Sequence, residues 1–514
     1  MSGVWMGRAL RTVGALVAVA AVGATALAGA RAEPAERPAV GVDAVEVPAP
    51  PVSAVCPGPP IMPEGTGQGA FDPAPVDPVP AVSVVALAGD GARVTGTLLS
   101  LDGGRLADLS QTAAATVPAV TGATLALADG AGAPVRLAAV ASGLVTAGDL
   151  RGLLAATCPT PAADAWLVGG STAVGSTADL VLVNPGTTTA EVTLAAWGAN
   201  GPVEIPEATQ LVGPHAQKVV HLGGAAPEQR SLVVRVATTG GQVAAWLQDG
   251  AVRGFTPAGA ELVVPAAAPA ARVVVPGVLV GDSTADSPDA PLLRLLAPGP
   301  DGASAHVTLL GADGPVELPG ATAVDLPAGQ VTDLPLGGLP AGAYTVVVDA
   351  AGPVVASVAF SRVGSPGDLD PTPRVERAWA AAAPPGAGLA APVPGTRTTL
   401  VVGAAPDGEA ATATGTATGT LRLLGADGAV LAEHRVSVDA GSTGSWALAD
   451  LVPDPSRVTG VLVLPDDGST ALSWALVAEV PQADGVLASV LLPAAAPVGA
   501  TTVAVAEDPT LGLG

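Results

Sequence analysis

Aromatic side chains are nearly missing from this sequence. Seven tryptophans, three phenylalanines and one tyrosine are all that 514 residues contain. Any core must therefore be built from valine, leucine and alanine, and recognition by many stacked rings is excluded. Lysine occurs once, at Lys218, so the basic side is almost wholly arginine, and acids outnumber bases to leave a net charge of −24. That balance argues against nucleic acid, whose phosphates would be repelled. The charge is spread thinly, without acidic blocks, as on a solvated soluble surface. Histidine is scarce as well: His215, His221, His306 and His434. The first two would share a strand face but stand roughly 20 Å apart at the rise of a strand, which one metal ion does not bridge. The other two lie in separate segments with no acid-histidine pattern beside them. All four read as surface or strand-edge residues.

The motifs of common chemistries are missing too. Gly-x-Ser-x-Gly does not occur; its nearest approach, Gly441-Ser442-Thr443-Gly444-Ser445, falls where a plain turn is expected. Asp466-Asp467 precede Gly468 in what reads as a hairpin loop, whereas a glycosidase needs two carboxylates facing across a cleft. The many Asp-Gly pairs lack the spacing and distal glutamate of a calcium loop and read as hairpin turns. No glycine-rich phosphate loop follows a strand and opens a helix. We therefore assign no catalytic, cofactor-binding or metal-ligating residue, and expect a chain that is not an enzyme. Cysteine is limited to Cys56 and Cys158, each followed by proline. Two thiolates alone do not make a structural zinc site, and in an exported chain two cysteines pair. A Cys56–Cys158 disulfide is expected.

What the sequence has in abundance is short apolar runs broken by Gly, Pro and Asp every ten or so residues, the rhythm of sandwich strands. One stretch recurs. His306-Val307-Thr308-Leu309-Leu310-Gly311-Ala312-Asp313-Gly314 reads as two strand ends joined by a tight Asp-Gly turn, and Thr420-Leu421-Arg422-Leu423-Leu424-Gly425-Ala426-Asp427-Gly428 nearly copies it. Val192-Thr193-Leu194-Ala195-Ala196-Trp197-Gly198-Ala199-Asn200-Gly201 is a third version. Gly198, Gly311 and Gly425 are 113 and 114 residues apart, and Trp246, Phe360 and Trp474 are 114 and 114 apart. One supersecondary unit has been copied in tandem. The Trp/Phe position is expected between two sheets, and the segments on either side of the Gly240-Gly241 type of turn are expected to pair as a closing hairpin. The fold class follows: all-β, tandem immunoglobulin-like β-sandwich units, the first one divergent.

The chain divides accordingly. Residues 1–32 read as a signal peptide or an uncleaved signal anchor, with Arg8 and Arg11 before an apolar run from Val13 to Ala28 that approaches bilayer length. A Pro/Ala-rich linker occupies 33–51. The divergent N-terminal β unit spans 52–163, and the three repeats span 164–271, 272–375 and 376–497, before a C-terminal tail at 498–514. Leu150-Arg151-Gly152 near the end of the first unit echoes Val252-Arg253-Gly254 near the end of the next.

The arginine-only basic set and the Ala, Gly, Val and Pro excess suggest a high-GC bacterium such as an actinobacterium. Cys56-Pro57-Gly58-Pro59, the run from Cys158 through Trp166-Leu167-Val168-Gly169-Gly170, and Asn184-Pro185-Gly186 fit one known pattern, as does Arg253-Gly254-Phe255-Thr256-Pro257 leading to Val274-Val275-Pro276-Gly277. On these residues the chain resembles an exported actinobacterial family of unknown function, the domain of unknown function numbered five-seven-one-nine. The resemblance implies envelope or extracellular placement and carries no catalytic residues.

The expected role is a secreted or cell-envelope-associated structural or interaction protein without enzymatic activity, needing no cofactor. Its partner would be an envelope protein or a glycan, and its attachment at most a single N-terminal membrane anchor. The alternative is an extracellular glycan-binding protein, which would show itself by an exposed coplanar pair among Trp197, Trp379 and Trp446. Binding surfaces are expected on inter-strand loops or at junctions between units.

Overall fold

The computed structural model describes residues 13–25, 27, 42–62, 78–88, 94–281, 283–316, 318, 323–367, 371–406, 415–466, 472–494 and 499–506. It divides into two compact units, one made of residues 1–48 with 500–514 and the other of residues 49–499. In the first, residues 13–25 are helical and Val42–Val47 pairs antiparallel with Thr501–Ala506. The rest of the expected targeting segment, 1–12, 26 and 28–32, lies outside the described residues. Among the described residues no helix is long and apolar enough to cross a membrane.

The second unit is all-β, built from antiparallel sheets with only two four-residue helices, Leu222–Ala225 and Leu448–Leu451, and one 3-10 turn, Pro455–Arg457, among its described residues. Its strands fall into four consecutive sets, within 52–157, 164–263, 270–381 and 388–491, and every set has the same strand order. One sheet runs first, sixth, third, fourth; the other runs fifth, second, seventh, eighth. The fourth strand is broken into two short pieces in the middle two sets, and in the third set the sixth and seventh strands are one continuous strand, Gly342–Pro366. The first set, weakly related in sequence, thus shares its strand order with the other three. Alternation along strands such as Ala190–Gly198 buries one face and exposes the other, as strand pleating requires. Strands nearer the centre, such as Ser176–Asn184, are buried on both faces. Trp246, Phe360 and Trp474 all lie on seventh strands and are at most 3% exposed. Phe360 and Trp474 face the core between their own two sheets, as expected, but Trp246 does not. Its neighbours Ala245 and Leu247 enter that core, and Trp246 packs on the other face, toward Leu154 and the Pro57–Ile61 strap of the first set.

Three local expectations are corrected. The segments on either side of the Gly240-Gly241 turn do not form a hairpin. Val233–Thr239 pairs with Asp164–Val168 and Ala190–Gly198, whereas Ala244–Arg253 pairs with Ser176–Asn184 and Thr256–Val263 in the other sheet. The short turn is a crossover between sheets, and the real closing hairpin joins the seventh strand to the eighth. In the Gly311 hairpin, the register pairs Gly311 with Gly314, so Ala312 and Asp313 form the two-residue loop and Gly314, at φ +122°, opens the return strand. Gly198 and Gly201 repeat that register around Ala199-Asn200. Finally, Pro373–Ala381 crosses the expected boundary at 375/376 and pairs back with Gly342–Pro366.

Candidate functional site

The four closing strands, Gly152–Thr157, Thr256–Val263, Pro373–Ala381 and Gly485–Leu491, are each the edge of a sheet, and each packs against the next around a cycle. An edge strand carries a row of unpaired backbone groups, so bringing four edges together buries them and creates a demand for partners. Close backbone approach is built in by glycine. A Cβ on Gly152 would fall 2.3 Å from the Ala260 carbonyl oxygen, and one on Gly259, at φ +101°, would fall 2.6 Å from the Arg377 nitrogen.

Buried polar side chains meet the demand. Glu376, 1% exposed, accepts the Leu153 amide at 3.0 Å and the Ala488 amide at 3.3 Å on one oxygen, so it ties together two strands of other sets. Glu261, 2% exposed, accepts its neighbour's Leu262 amide at 2.9 Å, and its carboxyl lies 3.0 Å from Ser489 Oγ. Ser489 also bonds the Ala155 carbonyl. A hydroxyl has one proton, and a carbonyl can only accept, so both contacts are satisfied together when Glu261 itself carries a proton. Asp249, wholly buried, takes the Trp379 indole N–H at 3.1 Å and pairs with Arg377 at 2.9 Å. Arg151, 2% exposed, forks onto Asp484 at 2.9 and 2.7 Å. One oxygen each of Asp249, Glu261 and Glu376 has no hydrogen-bond partner.

The electrostatics follow from burial. Loss of hydration pushes the Glu376 carboxyl up to about 8, against the opposing pull of the Leu153 and Ala488 amides and of Arg151 and Arg377. Burial pushes Glu261 well above the usual carboxylate range, and the charges of Glu376 and Asp249 add to it against the Leu262 amide. At the neighbouring junction of the second and third sets, Arg294 forks onto Asp333 at 2.8 and 2.9 Å, donates to the Gly170 carbonyl at 2.7 Å and lies 4.9 Å over the Trp379 ring. Burial acts to raise Asp333, but Arg294 and the Ser231 hydroxyl outweigh it and hold the carboxyl below its ordinary value.

Past the C-terminal ends of the same four strands lies an open-sided basin of about 450 Å3. All four strand exits contribute to it, among them Ala162, Pro265, Ala266, Ala383 and Pro493. Asp249, Glu261 and Glu376 do not line it. A smaller cleft of about 260 Å3 lies under the strap Pro57–Ile61, whose Ile61 backbone exchanges two hydrogen bonds of 2.8 Å with the Gln248 amide.

The sequence-predicted residues are placed as follows. Cys56 and Cys158 are bonded, with Cα atoms 4.4 Å apart; the bond joins the end of the first strand to the exit of the eighth. The histidines stay apart from one another. His215 sits at a turn with φ +49°, His221 Nδ1 lies 2.7 Å from Asp179, His434 Nε2 donates to the Leu451 carbonyl at 2.7 Å, and His306 Nδ1 is 3.3 Å from the Thr308 hydroxyl. Among the described residues no group of three or more His, Cys, Asp or Glu is placed to hold a metal ion. Asp466 pairs with Arg435 and accepts from Thr418; Asp467 lies outside the described residues. Thr443, in the serine-glycine stretch, donates to the Leu310 carbonyl of the preceding set at 2.6 Å. Trp379 is buried, Trp446 is partly buried, and Trp197 stacks at 5.3 Å on Trp166, itself buried. The exposed coplanar pair that would mark a glycan platform is not formed by these rings.

The residues that sequence reasoning missed are the buried charges. Acids are concentrated in hairpin turns by composition, yet Asp249, Glu261 and Glu376 lie inside strands. The available signal was a charged residue set within an apolar strand, as in Ala260-Glu261-Leu262-Val263 and Val375-Glu376-Arg377-Ala378-Trp379. The echo of Arg151 and Arg253 marked the right hairpins, but only Arg151 enters the seam; Arg253 pairs with Asp289 at 2.6 Å.

Comparison with known proteins matches residues 109–449 to the model of a family described as "Family of unknown function (DUF5719)". No curated protein matches the chain. Among solved structures, one described as "Crystal Structure of Thermotoga maritima 1070" aligns with 21% of this chain and 90% of its own at 17% identity and a TM-score of 0.16, a likeness too slight to bear on fold or role.

Proposed function

This chain belongs to DUF5719, a family of unknown function, and from that premise we propose that it is an exported, envelope-associated interaction protein without enzymatic activity. We read each of its four sheet pairs as an immunoglobulin-like sandwich in the broad architectural sense. The observation that carries the proposal is the use made of its buried acids and bases. Catalysis needs such groups converging on a cleft, and here Asp249, Glu261, Glu376 and Arg151 are engaged with backbone amides, an indole and the oppositely charged Arg377 and Asp484. Perturbed carboxyls of this kind serve structural seams as well as active sites. The disulfide supports an oxidising compartment.

The test is fractionation of the producing cell, followed by alkylation and mass spectrometry without reduction, with photo-crosslinking of intact envelopes alongside. The expected result is a protein outside the cytoplasm, with Cys56 and Cys158 blocked from alkylation, crosslinked to an envelope component. A cytoplasmic pool with two free thiols, or turnover of any substrate abolished by Glu376→Gln, would overturn the reading.

A further inference from the structure

We propose that the basin at the exits of the four closing strands binds the hydrocarbon chain of an amphiphile, an acyl or isoprenoid tail whose polar end remains at the open side. The inference goes beyond the proposed role and does not depend on it. Its volume of about 450 Å3 falls within the roughly 300–1,000 Å3 of small-molecule sites. The class of ligand follows from what the walls can offer. Alanine, proline, valine and leucine supply most of the lining, and the single charged lining residue, Asp164, is engaged bidentately by Arg235 at 2.7 and 3.3 Å.

Many of the backbone donors around the basin are engaged as well. Ala162 exchanges both its backbone bonds with Val243, Ala266 donates to the Trp166 carbonyl, Ala267 to Ala382, Ala383 to Val274, and Ala494 to Leu389. Cys158 donates to the Ala139 carbonyl, and the Thr157 hydroxyl to that of Leu492. A polar ligand entering here would give up its hydrogen bonds to water and find few replacements, which disfavours it. A hydrocarbon chain loses nothing by the same transfer and is driven in by removal of its surface from water.

The geometry also explains why the walls are small. Pro159, Pro265 and Pro493 each stand two residues past the end of a closing strand, followed by Thr160, Ala266 and Ala494, and the fourth exit carries Ala382-Ala383-Pro384, so the four strand ends stop short of filling the space between them. Larger side chains would close it. Fully wetted apolar walls at a junction of four sheet pairs are unfavourable, and an apolar tail would relieve that. Thr160 and Asp164, both exposed lining residues, mark the polar rim where the ligand's head would remain in solvent.

The experiment uses the whole chain and two photoreactive probes, a diazirine-bearing palmitic acid and a diazirine-bearing farnesol, with the labelled peptides mapped by mass spectrometry. Labelling at residues 264–267, 382–387 or 492–494, competed by the unmodified parent compound, is the expected result. Labelling by palmitate alone identifies an acyl source, by farnesol alone an isoprenoid source, and by both a site for hydrocarbon chains in general. Ala266→Phe, which fills the basin, is expected to weaken competition about tenfold or more, a loss of about 1.4 kcal/mol. Ala387→Leu, nearer the open side, gives the same reading should the first variant fail to fold. Saturable labelling confined to other parts of the chain, no saturable labelling by either probe, or undiminished labelling in both folded variants would overturn the proposal.

Discussion

Glu376 is the residue on which the four-strand seam most depends, because one carboxyl oxygen serves the backbones of two other strands, Leu153 and Ala488. Its acid form is favoured by burial, up to about 8, while in an unfolded chain it would titrate at an ordinary value of about 4.3. A carboxyl whose folded value is raised contributes its full stabilisation below the unfolded value and loses it as pH rises through the folded value. Glu261 acts in the same sense, and Arg151 and Arg377, which face Glu376, oppose it. Stability is therefore expected to fall between about pH 5 and pH 8 by a few kcal/mol, an order-of-magnitude figure from linkage. Glu376→Gln keeps an acceptor for both amides and removes the titration. Urea midpoints measured at pH 5, 7 and 9 should decline less steeply for the variant, which should be the more stable form at pH 9. Parallel profiles for the two proteins would refute this. The sequence offered only the hint of a charged residue within an apolar strand; the burial itself was not legible, because Glu261 and Glu376 meet strands more than a hundred residues away.

At the scale of the element, strand positions were readable and strand partnership was not. The recurring apolar stretch around Gly311 is a hairpin, Ala303–Gly311 with Gly314–Val316, and the 114-residue spacing put Trp246, Phe360 and Trp474 on the same strand of three sets, though Trp246 faces the other way from Phe360 and Trp474. The turn at Gly240-Gly241 has the length of a hairpin loop, but local spacing does not distinguish a return in the same sheet from a step to the opposite one. That choice depends on which face of each strand meets a core, and strands apolar on both faces do not reveal it. The disulfide was readable because two cysteines permit one pairing. It closes a loop across 102 residues, for which the chain-entropy model gives roughly 4–5 kcal/mol, with measured bonds often giving less. Cys56→Ser with Cys158→Ser is expected to lower unfolding free energy by up to about 4 kcal/mol, with the loss visible as a lower guanidinium midpoint. An unchanged midpoint would mean that the first sheet pair is held by its neighbours alone.

For the molecule as a whole, one unit is copied in tandem along the sequence, and residues 49–499 form one compact unit. The repeat explains the four equal strand orders, and the edges explain the compaction. Each set ends in a strand with one side unpaired, an invitation to aggregation if left in water, and four such strands turned toward one another remove the hazard together. The seam they make is polar as well as apolar, so no set keeps its own charges satisfied once separated. Glu261 would lose Ser489, Arg151 would lose Asp484, and Asp249 would lose Arg377 and Trp379. Cooperative unfolding is therefore expected of residues 49–499: one calorimetric transition, with calorimetric and van't Hoff enthalpies agreeing. A fragment covering residues 164–271, by contrast, exposes Thr256–Val263 along its free edge and should self-associate or melt well below the whole. Beads that merely share a chain would behave in the opposite way, with separable transitions and a fragment as stable as its parent. That outcome would mean that the buried seam does not couple the four sets.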